Sequence, residues 1–215
     1  MAASASLPTS RTLFSFKYVL FFFIGLMSLF AIWHTDRFLF VRRMSDWGYY
    51  YDVRWWIVAH ATASAMTLVL GPLQFSSKLR RRHTATHRLL GRLYLSGIAI
   101  GGPIAIYLGF THALPMMALP ILVQSTLWIG TGAGALLAAK RRNFELHRQW
   151  VIRSYAITLI FVVTRVLGAI PAVERHGIAV QAPLLWILIV AALVIPEISF
   201  RWRASLQNRQ AATRI

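Results

Sequence analysis

Six apolar stretches, each long enough to cross the hydrocarbon core of a bilayer, set the terms for what this chain can fold into. A spanning helix needs about 20 mostly apolar residues. The sequence offers Phe16 to Trp33, Trp55 to Phe75, Leu93 to Phe110, Leu114 to Ala139, Trp150 to Ile170 and Ala182 to Phe200. Lipid offers no hydrogen bonds, so the backbone of such runs must satisfy itself as helix. The expected fold is all-α: a polytopic membrane helical bundle of about six transmembrane helices with a four-helix core. Residues 1–52 are expected to form an N-terminal anchor helix and an outer interfacial loop, and residues 53–170 the four-helix core. Residues 171–215 are expected to supply the sixth transmembrane helix and a basic cytoplasmic tail. Arg11 and Lys17 precede the first run as in a signal peptide, but "AIWHTDR" after it offers no small-residue cleavage site, so it reads as a retained anchor.

Charge supports the same reading. The chain holds 23 Lys and Arg against 6 Asp and Glu, a net +17. In a soluble domain that balance suggests nucleic acid. Here 57% of residues are hydrophobic, and the basic residues cluster between the apolar runs, so the lipid bilayer is the expected partner and nucleic acid is not. With the N-terminus inside, Lys and Arg number 17 on the cytoplasmic side and five outside, with Arg165 inside a span. Both termini are therefore expected in the cytoplasm of a bacterial cell, with the chain in its cytoplasmic membrane. Trp47, Tyr49, Tyr50, Tyr51, Trp55 and Trp56 then form an outer aromatic belt. The chain has no cysteine, which excludes disulfides, thiolate metal sites and a thiol nucleophile.

Polar side chains within a span are expected to face the bundle interior. At helical spacing, His60, Ser64, Thr67, Gly71 and Gln74 share one face of the second span. His147, Ser154, Thr158 and Arg165 share a face of the fifth, and Gln124, Trp128 and Thr131 a face of the fourth. On the third, His87, Gly91, Tyr94, Gly101, Ala105 and Gly109 lie on one side, with Pro103 a candidate kink. Small and hydroxyl residues in such stripes serve close helix packing. His60 and Arg165 ask for more: a charge in the hydrocarbon costs at least about 2.5–3.5 kcal/mol, so Arg165 needs a partner or a hydrated cavity.

The chain also echoes itself. "KLRRRHTATHRLLGRLY", Lys78 to Tyr94, and "KRRNFELHRQWVIRSY", Lys140 to Tyr155, each carry a basic cluster, then His-Arg, then Arg and Tyr entering the next span. Three segments, "HATASAMTLVLGPLQF", "HRLLGRLY" and "HRQWVIRSYAITLIFVVTR", resemble in order the signature segments of a predicted membrane-protein family, domain of unknown function 2306. The resemblance runs from His60 to Arg165. It implies membrane location and the prominence of His60, Gln74, His87, Gly91, Tyr94, His147, Trp150, Arg153 and Arg165, and it assigns none of them a role.

Three functions fit this pattern. Facing imidazoles of His87 and His147 supply both axial ligands of a b-type haem, the one cofactor suggested, with Tyr94 and Arg153 beside them, which describes an electron-transfer protein. Alternatively, the polar core of His60, Ser64, Thr67, Gln74, Thr158 and Arg165 lines a path for protons or small solutes. In the third, the polar groups hold a non-catalytic scaffold or assembly factor that grips a membrane-protein partner or a second copy. No catalytic residue is assigned, and enzyme activity stays open. No metal site is assigned either, because His83 and His87 have no carboxylate nearby to complete a ligand set. P-loop, Gly-x-Gly-x-x-Gly, His-Glu-x-x-His and Gly-x-Ser-x-Gly motifs are missing.

Overall fold

Apolar runs become helices whose ends are set by local chemistry. The computed structural model describes residues 21–27, 29, 30, 33 and 47–212. Its main elements are α1 (Arg54–Gln74), α2 (Ser77–Arg82), α3 (Thr84–Thr111), α4 (Pro115–Lys140), α5 (Phe144–Gly168), α6 (Pro171–His176) and α7 (Ile178–Ala212). Ser76 caps α2 by accepting the Leu79 amide, and Asn143 caps α5 by accepting the Leu146 amide. Pro115 and Pro171 open α4 and α6, where a missing amide proton costs nothing. α3 runs on through Pro103, and it starts nine residues ahead of the expected span, so "HTATHRLLGRLY" is mostly helix.

Five of these helices, α1, α3, α4, α5 and α7, are long and apolar enough to cross a membrane. They present Val69, Ile100, Phe110, Leu119, Ile187 and Ile195 outward, as lipid-facing helices do. The protein is an integral membrane helical bundle. Ten residues of the first expected span, Phe16 to Trp33, are described and they are helical; the rest of that span lies outside the described residues.

Helices α1, α3, α4 and α5 form a ring. α1 packs on α3, α3 on α4, and α4 on α5, while α5 closes the ring on α1. Short turns make successive members antiparallel, so α3 and α5 run parallel at diagonal positions. α7 packs outside the ring against α5 and α4, burying Leu185, Ile189 and Ala192. One end of the bundle carries α2 and the α4–α5 turn, hence Lys78, Arg80, Arg81, Arg82, Lys140, Arg141 and Arg142; it is termed here the basic end.

Close approach of α1 to α3 depends on Gly97. A Cβ there would fall 2.5 Å from Thr67 Cγ2 and 2.8 Å from the Ala63 carbonyl oxygen. Small residues at such seams let membrane helices gain dispersion contacts that lipid would otherwise take. Tyr155 plays the complementary part between α5 and α1, its ring lying over Gly71 and its hydroxyl donating to the Leu68 carbonyl at 3.3 Å.

Candidate functional site

A polar knot ties the ring together at mid-depth. The Tyr94 hydroxyl lies 2.9 Å from Ser154 Oγ and 3.3 Å from Thr158 Oγ1. Trp128 Nε1 donates to Thr158 Oγ1 at 2.9 Å, and Thr158 passes its own proton to the Ser154 carbonyl at 2.9 Å. All four residues are buried. The knot joins α3, α4 and α5, and each of these hydroxyl and indole groups has a partner. Tyr94, expected beside a cofactor, is therefore engaged in the protein's own interior.

Tyr94 and Ser154 also fix a register. They are 60 residues apart on parallel diagonal helices and meet at hydrogen-bond distance. His87 and His147 are likewise 60 apart, each seven residues before its member of that pair. Seven residues are two helical turns, which keep the same face and shift the level by about 10 Å. The two histidines consequently sit at similar depth at the basic end, about two turns from the knot, and are close enough to interact electrostatically.

Their surroundings differ. His147 Nδ1 donates to the Ala135 carbonyl of α4 at 2.8 Å, which fixes its tautomer and leaves Nε2 free to accept or to ligate. His87 Nδ1 is buried and has no hydrogen-bond partner among the described residues. The same is true of Gln74 Nε2, at the basic end of α1. Gln74 is 8% exposed and its Oε1 faces Gly91, one turn below His87 on the same face of α3. An unsatisfied buried polar group costs about 1–3 kcal/mol. Two of them at one end of one seam mark a place where the fold leaves polar groups open.

The remaining expected residues lie elsewhere. His60 donates from Nδ1 to the Gly101 carbonyl at 2.9 Å, and its Nε2 lies 3.4 Å from Ser64 Oγ. Thr67, fully buried, donates to the Ser64 carbonyl at 2.7 Å. His60 thus joins α1 to α3, while Ser64 and Thr67 bond within α1. Arg165 is exposed near the end of α5, with its guanidinium over the Phe161 ring at 5.3 Å, and it is near enough to His60 to act on it electrostatically. Arg153 bonds Glu197 of α7 at 2.6 Å and lies 4.9 Å from the Trp150 ring. Arg153 and Glu197 both lie toward the basic ends of their helices and meet where α7 packs on α5. His83 is exposed at the start of α3, and no three His, Asp or Glu side chains cluster to hold a metal ion among the described residues.

A family model described as "Predicted membrane protein (DUF2306)" matches residues 57–200, which is more than half of the chain. The chain belongs to this DUF2306 family. The matched region of this DUF2306 protein begins within α1 and ends within α7, so it takes in the ring, the histidine pair and Glu197. No curated protein and no solved structure matches the chain.

Proposed function

We propose that this DUF2306 protein is a b-type haem electron carrier, with His87 and His147 as the axial ligands on the cytoplasmic side of the membrane. One observation carries the reading. Two imidazoles lie at similar depth on parallel helices, near enough to interact electrostatically, one with Nδ1 tied to a backbone carbonyl and the other with Nδ1 buried and unbonded among the described residues. Axial histidines ordinarily present one ring nitrogen to the metal while a carbonyl or carboxylate holds the other, and His147 meets that requirement. A bound haem would supply a one-electron iron couple. The chain contributes the rest: His87 and His147 bind, Gln74 offers an uncommitted amide, and the Tyr94–Ser154–Thr158–Trp128 knot closes the floor. Arg153 is occupied by Glu197, so propionate binding falls to other basic residues of this end.

The transport reading draws less support, because His60, Ser64 and Thr67 spend their polar groups on helix contacts. Protein purified from haem-replete cells should give a reduced-minus-oxidised haem spectrum that disappears in His87→Ala and in His147→Ala while both variants remain folded. A colourless, folded wild-type preparation overturns the haem reading and leaves a scaffold.

A further inference from the structure

The turn between α4 and α5 places a cavity of about 370 Å³ on the outer surface of the basic end. Leu137, Ala138, Leu146 and Trp150 make its walls apolar, and Arg141 and Asn143 give it a polar mouth. Trp150 lies flat against α4 only because position 134 is glycine: a Cβ there would come within 2.7 Å of the indole. Leu137 and Leu146 are both exposed, so the apolar part faces outward and not into the core.

The turn itself carries a second observation. Arg142 adopts φ +58°, the left-handed conformation that closes a helix end and is ordinarily taken by glycine or asparagine. The closing bonds are present: the Arg142 amide donates to the Ala139 carbonyl at 3.0 Å and the Asn143 amide to the Ala138 carbonyl at 3.0 Å. A side chain with a Cβ is strained there. The chain nevertheless places an arginine at this point, beside Arg141 and Lys140, above an apolar groove.

The geometry points to a binding site for one anionic phospholipid, its phosphate at Arg141 in the mouth, with the charge of Arg142 beside it in the turn, and the upper part of one acyl chain along Leu137 and Trp150. Charge complementarity selects the occupant. Among the described residues no acidic side chain lines the groove; exposed Glu145 stands beside Leu146, but Lys140, Arg141, Arg142 and Arg148 around it leave the local balance positive, so an anionic headgroup is favoured over a zwitterionic one. The site is separate from the histidine pair and does not depend on the haem proposal.

Native mass spectrometry of the full chain in neutral detergent, with phosphatidylglycerol or phosphatidylcholine added, tests it. Wild type should retain one phosphatidylglycerol in preference to phosphatidylcholine. Arg141→Ala combined with Arg142→Gly should weaken that retention by roughly 25-fold, about five-fold for each arginine near the surface. Arg142→Gly alone should fold at least as well as wild type, since it relieves the strained turn, yet bind the lipid about five-fold more weakly. Arg203→Ala with Arg209→Ala, which removes equal charge from α7, should leave retention unchanged. Equal retention of the two lipids, unchanged retention in the groove variants, or an equal loss in the α7 variant would each overturn the proposal.

Discussion

Mid-depth and basic end of the same ring treat polar groups in opposite ways. At mid-depth, Tyr94, Trp128, Ser154 and Thr158 close a circuit of hydrogen bonds across α3, α4 and α5. Toward the basic end, His87 and Gln74 each keep a buried nitrogen without a partner among the described residues. Packing alone explains the first arrangement, because a hydroxyl inside a membrane bundle is stable only when bonded. It does not explain the second. Groups left open at a cost are expected where something other than the chain completes them.

The largest contrast concerns glycine. Gly97→Leu should prevent α1 from seating on α3, and Gly97→Ala should cost about 1–3 kcal/mol by overpacking, because the obstacle includes the Ala63 backbone. Gly91→Ala, at the basic end, meets only Gln74 Oε1 at 3.3 Å and should cost less than about 1 kcal/mol. Equilibrium unfolding in mixed micelles measures both; equal costs would remove the distinction between a packed middle and an open end.

Next comes the same comparison in hydrogen bonds. Tyr94→Phe takes a partner from Ser154 and Thr158 and should destabilise by about 1–2 kcal/mol. Gln74→Leu removes a buried amide nitrogen that no described residue bonds, so stability should hold or rise. A loss for Gln74→Leu as large as that for Tyr94→Phe would show that the amide is satisfied after all.

Much of this was legible in the sequence, for identifiable reasons. Hydropathy located α1, α3, α4, α5 and α7 because lipid permits few alternatives to a helix. Spacings of three and four marked the face of α1 on which Ser64, Thr67 and Gln74 are now buried. The echo between Lys78 and Tyr155 carried the offset that pairs His87 with His147, although it matched Tyr94 with Tyr155, while in the structure the Tyr94 hydroxyl meets Ser154. Other features depend on how helices are turned toward one another, which no single helix encodes. Periodicity placed Arg165 on the face of Thr158, yet whether a position is covered depends on which neighbours reach that depth, and Arg165 is exposed. Arg153 and Glu197 belong to helices whose contact forms only when α7 docks outside the ring.

The smallest expected effect lies at that docking seam. Glu197 is 45% exposed and Arg153 18%, so a double-mutant cycle with Arg153→Leu and Glu197→Gln should give a coupling below about 1 kcal/mol that shrinks as salt is added. A larger coupling would place this pair with the buried knot and not with the solvated rim.

The level pairing of His87 and His147 is the point on which the basic-end site stands, and the chain's lack of cysteine makes it directly measurable. In a His87→Cys, His147→Cys double variant, a short bifunctional maleimide should join the two thiols within one chain, detected by mass spectrometry as one linker for two lost thiols. Two separately modified thiols in a folded monomer, or linkage only between chains, would contradict the pairing.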